Sequence, residues 1–349
     1  MLILLVSYYL CGESVTPKER FLGALRRKKM DRIPVVSVTQ TGIIDLMEMS
    51  GSCWPEANRD PERMARLSAY AYEVAGFENV RVPFGIHSEA EALGCKADYF
   101  EGRHDRTPLV EPLSDLRLRA DADPASSKST RTVIDAVRLL KKMVPLGVPI
   151  VAGVQGPSSL TAKIHGMERF FKSLAHAPGD VGKTYDVASD FIIKFVKELE
   201  DAGADVIIFI DSSATGELIG PALYRRYAFP RITEVIKACR VPTVLHMCGN
   251  CTSILPFMVE TGVRGISIDQ RVSILRAREL MDGKASLIGN INPVDLWLKE
   301  PELIRKITLQ VMEDGIDVVA PGCGLVPHTP LSHIQTMIET VKKYTLEHG

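Results

Sequence analysis

Short apolar runs alternate with longer helical repeats along most of the chain. The runs predict strands at 33–38, 79–82, 149–154, 205–210, 242–245, 264–268, 285–289 and 317–320. They are continuous, not alternating, as strands buried on both faces of a parallel sheet require. Thr16-Pro17-Lys18-Glu19-Arg20 opens the first helix, with threonine as cap and proline in the first turn. A helix follows Ile43. Asp60-Pro61 caps another, with Met64, Leu67, Ala71 and Val74 on one face and Gly76 as its stop. Further helices are predicted over 132–142, 158–165, 167–175, 180–202, 221–239, 254–260, 273–281, 301–314 and 331–344. In the longest, Val181, Tyr185, Ala188, Ile192, Phe195 and Leu199 recur at helical spacing.

Eight strand–helix units predict an α/β fold, a (β/α)8 TIM barrel with an N-terminal helical extension. An open doubly wound sheet is the alternative, since counting strands does not prove closure. No glycine-rich phosphate fingerprint follows the first strand, which argues against dinucleotide binding. The expected organisation is a loose extension over 1–15 and one catalytic barrel over 16–349. Periodicity fails between Pro83 and Thr130, where Gly, Pro, Asp and Arg are frequent. An insertion, lid or binding loop is expected there, with a local hairpin around Cys95 to Phe100.

Composition narrows the function classes. The 42 Lys and Arg nearly balance 43 Asp and Glu, interspersed without dense runs, so no broad basic surface for nucleic acid is expected. Met1 to Leu10 is apolar but lacks a basic leader and is too short to span a bilayer, which needs about 20 residues. The seven cysteines are scattered and form no disulfide framework, which predicts a reducing, cytoplasmic setting. Cys11, Cys53, Cys95 and Cys239 have no evident ligand companion.

Strand ends are where a barrel carries its chemistry. They offer Thr39, Gln40 and Thr41; Gln155; Asp211, Ser212 and Ser213; His246, Cys248 and Asn250; Asp269 and Gln270; Asn290 and Asn292; and Cys323. His246 and Cys248 flank Met247, so both point to one side of an extended segment. Cys323, 75 positions beyond Cys248 (323 minus 248), must meet them across the barrel mouth. That separation excludes a zinc ribbon or finger. Three protein ligands leave one position open, the pattern of a catalytic zinc site. A buried histidine with two unrelated thiols is the competing reading. Cys251 makes a Cys-x-x-Cys with Cys248 and is read as a thiol at a helix start, turned away from the ligand side.

The chain resembles the uroporphyrinogen decarboxylase superfamily, and within it the methylcobalamin:coenzyme M methyltransferases of methanogenic archaea. The resemblance rests on Pro34-Val35-Val36-Ser37-Val38-Thr39-Gln40-Thr41-Gly42, Trp54-Pro55-Glu56-Ala57, Ala202-Gly203-Ala204-Asp205, Val244-Leu245-His246-Met247-Cys248-Gly249-Asn250 and Ala320-Pro321-Gly322-Cys323-Gly324. It implies a zinc site at His246, Cys248 and Cys323, the family's His-x-Cys with a distant Cys. It implies transfer of a methyl group from methylcobalamin, carried by a small corrinoid protein, to the thiol of coenzyme M, which zinc would bind and deprotonate. The decarboxylases carry Arg-Gln-x-Gly-Arg at the first strand, whose arginines bind porphyrinogen carboxylates. Thr39-Gln40-Thr41-Gly42-Ile43 has lost both guanidinium positions, which argues against decarboxylation. Gln40, Asn250, Asn290, Asn292 and helix-start amides are candidate donors to the sulfonate, with loop capping as the alternative for each. Asp211 is a further cofactor-side candidate. It and Asp269 could orient His246 or bond a neighbouring loop. Arg271 could serve the anionic tail, a partner surface or solvent. Other thiols or tetrahydrofolate as acceptor, a non-enzymatic corrinoid-binding barrel and a decarboxylase of an unusual acid are the rival readings.

Overall fold

The computed structural model describes residues 15–176 and 178–348. The proposed extension over 1–15 thus lies almost wholly outside the described residues. Nine strands occur in chain order: β1 (Val80–Val82), β2 (Lys96–Asp98), β3 (Leu109–Glu111), β4 (Ile150–Gln155), β5 (Val206–Ile210), β6 (Thr243–Met247), β7 (Gly265–Ile268), β8 (Ser286–Ile291) and β9 (Val318–Pro321). Seven form one parallel sheet in the order β1-β4-β5-β6-β7-β8-β9.

The stretch predicted as the first strand is an extended stave that closes the curled sheet between its edges. Val36 N–H donates to Val319 O and Val319 N–H to Pro34 O, both at 3.0 Å. On the other side Glu78 N–H donates to Val35 O at 2.9 Å. Pro34 brings no N–H, and side chains stand in for missing ladder bonds. Val35 N–H donates to the Glu78 carboxylate at 2.9 Å, and Ser37 N–H to Asn79 Oδ1 at 2.8 Å. The stave therefore shows a single parallel bridge, Val35 to Val319, and no regular ladder.

Alternate strand residues face two different cores. Outward-facing Val80, Ala152, Phe209, Leu245, Ile266 and Val319 pack under the helices. Inward-facing Val36, Val151, Val206, Val244, Ile288 and Val318 fill the barrel, joined by Phe21, Ala24 and Leu25 of α1 (Pro17–Leu25). α1 thus plugs the N-terminal end. Gly265 gives it room, because a Cβ there would lie 2.9 Å from Leu25 Cδ2. The cap of α1 is as predicted: Glu19 N–H donates to Thr16 Oγ1, and the Glu19 carboxylate accepts from Thr16 N–H.

The plugged end is tied by charge. Arg20 is buried and donates to Asp31 and Glu78, and Arg32 also donates to Glu78. Since Glu78 also bonds Val35, this cluster joins the plug to the closing seam.

Several elements differ from expectation. The 83–130 stretch contains a hairpin wider than the one predicted around Cys95 to Phe100, with β2 paired antiparallel to β3 at Leu109–Glu111, and a short helix, Ser88–Ala92. The predicted 221–239 helix is interrupted by a π turn at Tyr224–Ala228 before continuing as Phe229–Lys237. It is preceded by an unpredicted turn of helix from Gly216, and Gly220, whose φ of 71° favours glycine, kinks the chain at the predicted start, Pro221. Helix Pro293–Leu298, capped by Asn292, was not predicted.

Candidate metal centre

The strand predicted to stop at Leu245 continues through Met247, so His246 lies inside β6 and not beyond it. Apolarity ends at Leu245, but the strand continues with its inward position filled by an imidazole. His246 is fully buried. Its Nδ1 lies 3.0 Å from Ser267 Oγ, on the inward side of neighbouring β7. This leaves Nε2 facing the mouth, 3.1 Å from Cys248 Sγ.

Cys248 follows β6 in a tight turn. Its N–H donates to Ser212 Oγ at 3.2 Å. Gly249, with φ of 84°, turns the chain, and its N–H donates to Asp269 at 2.9 Å. Cys323 arrives from the loop after β9 and places its sulfur 3.0 Å from Cys248 Sγ. The two sulfurs are within hydrogen-bonding distance, and either could donate. That hydrogen bond from Cys323 holds Cys248 below the usual thiol range, and the same bond with burial pushes Cys323 up.

The donor atoms of His246, Cys248 and Cys323 all lie within 4.8 Å of one another. Zinc at about 2.3 Å from each sulfur needs the sulfurs about 3.8 Å apart. The pair must open by less than an ångström to hold it. One imidazole and two thiols suit a borderline-soft ion, and no protein carboxylate belongs to the set.

The other predicted site residues are engaged elsewhere. Gln40 donates to Leu325 O and accepts from Gly42 N–H. Asn250 caps Thr252 N–H at 3.1 Å, and Asn292 caps Val294 N–H at 3.0 Å. Asn290 donates to Asp269 O and Val272 O. Asp211 is fully buried, accepts from Ser159 N–H at 2.7 Å, and is pushed up to about 6 by burial. Asp269 holds the Gly249 turn and Arg271 N–H, and Arg271 pairs with Glu217 at 2.9 Å. Cys251 is fully buried and burial pushes it up to about 12, the environment of a packing thiol.

Ser212, one of the polar strand-end residues, holds the Cys248 backbone. Two residues of this region escaped the sequence reading. Ser267, which orients His246, is a polar residue at an inward position of a predicted strand. Arg81, in the middle of β1, is the other. Its guanidinium lies inside the barrel, where a Cβ on Gly153 of β4 would overlap it.

The sequence profile of the uroporphyrinogen decarboxylase (URO-D) family matches residues 16–344. The chain is 38% identical over 335 residues to a methylcobamide:CoM methyltransferase, MtbA, of Methanosarcina acetivorans, covering 94% of this chain and 98% of that one. It is 32% identical to the methylcobamide:CoM methyltransferase MtaA of Methanosarcina barkeri, with the same coverage of 94% and 98%. A solved methyltransferase from Methanosarcina mazei superposes with a TM-score of 0.89 at 32% identity, over 95% of this chain and 99% of that one. Among the described residues, no helix is long and apolar enough to cross a membrane.

Proposed function

The chain belongs to the uroporphyrinogen decarboxylase family, and we propose that it is a methyltransferase of the branch that moves a methyl group from a methylated corrinoid to the thiol of coenzyme M. The observation that carries this reading is the convergence of one imidazole nitrogen and two sulfurs within 4.8 Å at the mouth of such a barrel. The similarity to relatives named for this reaction supports it. So does the replacement of both porphyrinogen-binding arginine positions by Thr39 and Ile43, which leaves a decarboxylase substrate without its cation partners. The donor is read as methylcobalamin on a small corrinoid protein, the setting as cytoplasmic, and 16–349 as one catalytic unit.

His246, Cys248 and Cys323 are the proposed zinc ligands. Zinc held there would supply the Lewis acidity that lowers the pKa of a coordinating thiol toward neutrality. The chain's own residues prepare the place. Ser267 locks the imidazole so that Nε2, and not Nδ1, is presented. Ser212 and Asp269 fix the turn that carries Cys248. The acceptor thiol would bind as a further ligand to zinc held by these three residues, which stand at the end of the barrel from which the methyl donor would approach. In the transfer, a sulfur–carbon bond forms as the cobalt–carbon bond breaks. Its electron pair stays on cobalt, giving cob(I), and the thiol proton leaves to solvent. No separate general base is required once the thiol is ionised.

An anaerobic assay with free methylcobalamin, followed by its visible spectrum, tests this. The methylcobalt spectrum should be lost only when zinc and coenzyme M are both present. Turnover with another acceptor alone would move the substrate. No turnover with any acceptor by zinc-loaded protein would overturn the reading.

A further inference from the structure

Arg81 is 1% exposed and points into the barrel from β1. A buried guanidinium normally pairs with a carboxylate, because an unpaired buried charge is costly. Arg81 forms no such pair. Its Nη1 donates to Pro83 O, and its Nε has no hydrogen-bond partner. The nearest acid to influence it, Glu89, has its carboxylate committed to neutral donors: Gln155 N–H at 2.7 Å, Gln155 Nε2 at 3.1 Å and Ser88 Oγ at 2.8 Å. Burial lowers Arg81 to about 10, so it stays charged at neutral pH.

The staves on either side end in more unsatisfied polar groups. Thr39 and Thr41, on the closing stave, keep buried hydroxyls without partners. Gln155, at the mouth end of β4, keeps an unpartnered Oε1. Gly153 leaves the space that the guanidinium occupies. Cys323 lies in the loop after β9, and the closing stave bridges β9 on one side and bonds the start of β1 on the other. A fixed cation with a spare donor therefore stands one stave away from the strand that leads into Cys323, inside the same barrel.

We propose that Arg81 binds the anionic end of the acceptor, taking the sulfonate of coenzyme M while its thiol reaches toward Cys248 and Cys323. This rests on the methyl-transfer reading for the identity of the acceptor. The general class is a short alkanethiol ending in an anion. Where the resemblance places the decarboxylases' guanidinium groups after the first stave, this chain has Thr39 and Ile43, and it carries a guanidinium on the next strand.

The test is calorimetric titration of zinc-loaded protein with 2-mercaptoethanesulfonate, with neutral 2-mercaptoethanol, and with thiol-free ethanesulfonate. Wild type should prefer the sulfonate thiol. Arg81→Gln should weaken that thiol roughly 10–100-fold, the scale of a charged hydrogen bond, and lose ethanesulfonate binding. Its affinity for 2-mercaptoethanol should stay within about 3-fold. Arg81→Lys, which keeps charge but not the fork, should fall between. Thermal melts establish that the variants fold. Sulfonate affinity unchanged in Arg81→Gln, or an equal loss for both thiols in a protein that melts normally, would overturn the assignment. A wild type that binds the sulfonate thiol selectively, through Arg81, yet never consumes methylcobalamin would uphold it and sink the methyl-transfer reading instead.

Discussion

Two buried arginines mark the two ends of this barrel. Arg20, at the plugged end, donates to Asp31 and Glu78, and every neighbour it needs is supplied by the chain. Arg81, toward the mouth, has one backbone acceptor and an idle Nε. Both are fully desolvated, so burial does not separate them. What separates them is who supplies the counter-charge. At the plugged end polar groups are closed on themselves and hold the seam. At the mouth Thr39, Thr41, Gln155 and Arg81 each keep a buried polar atom without a partner, where the proposed reading would place an anionic thiol. The comparison predicts that changes at the mouth cost function with little loss of stability, and that changes at the plug do the reverse.

The largest effect should come from Cys323→Ala. Losing one of three ligands should remove tightly bound zinc, measured by metal analysis after dialysis, and lower thiol methylation by about 10³-fold or more. The melting temperature of the metal-free variant should stay close to that of metal-free wild type. Near-normal activity with zinc retained would remove Cys323 from the site.

Arg20→Met sharpens the comparison from the other end. It removes the Arg20 bonds from buried Glu78, which keeps Arg32, and from Asp31, which is partly solvated. Losing a hydrogen bond to a charged group costs about 1.5–3 kcal/mol. Urea denaturation of the metal-free protein should show that loss, while the folded fraction binds zinc as before. A stability change under about 1 kcal/mol would mean that the cluster merely decorates the seam.

Most of the barrel was legible because buried parallel strands are apolar throughout, and seven of the eight predicted runs became its strands. The boundaries that failed were at the mouth. β6 runs two residues past its apolar stretch because an inward position at the mouth can be polar when it serves a site, as His246 and Ser267 do. The first stave kept its place but not its ladder, since Pro34 removes a donor and Glu78 and Asn79 replace backbone partners with side chains. The helix Ser88–Ala92 is too short to show a period, and the π turn at Tyr224–Ala228 leaves the helical spacing on either side nearly unchanged. The convergence of His246, Cys248 and Cys323 was readable from their places at strand ends. Arg81 was not, because one arginine between valines looks like a solvent-facing alternation until Gly153 shows where its guanidinium goes.

A smaller effect is expected at Ser267. Ser267→Ala removes the partner of His246 Nδ1 without touching a donor atom. Second partners of this kind tune metal affinity by about 10–100-fold. Competition with a chelator should reveal that loss, with wild-type affinity restored by Ser267→Thr if the hydroxyl is what matters. Unchanged affinity in the alanine variant would mean that packing alone orients the imidazole.

Asp211 should give the smallest change, and it tests whether the mouth costs stability. Burial raises its carboxyl to about 6 in the folded protein, against about 3.9 for an unperturbed aspartate. The folded state therefore holds the proton more tightly than the unfolded state. This favours folding fully below about pH 4, and the advantage is lost as pH rises through about 6. At pH 7.5 the ionised group is buried at a cost. Asp211→Asn keeps an oxygen for Ser159 N–H and removes that charge. It should be more stable than wild type at pH 7.5, by on the order of 1–2 kcal/mol, with the advantage shrinking at pH 5. A variant less stable than wild type at pH 7.5 would mean that the ionised carboxylate is held by more than it loses. The mouth would then be as self-sufficient at Asp211 as the plugged end is at Arg20.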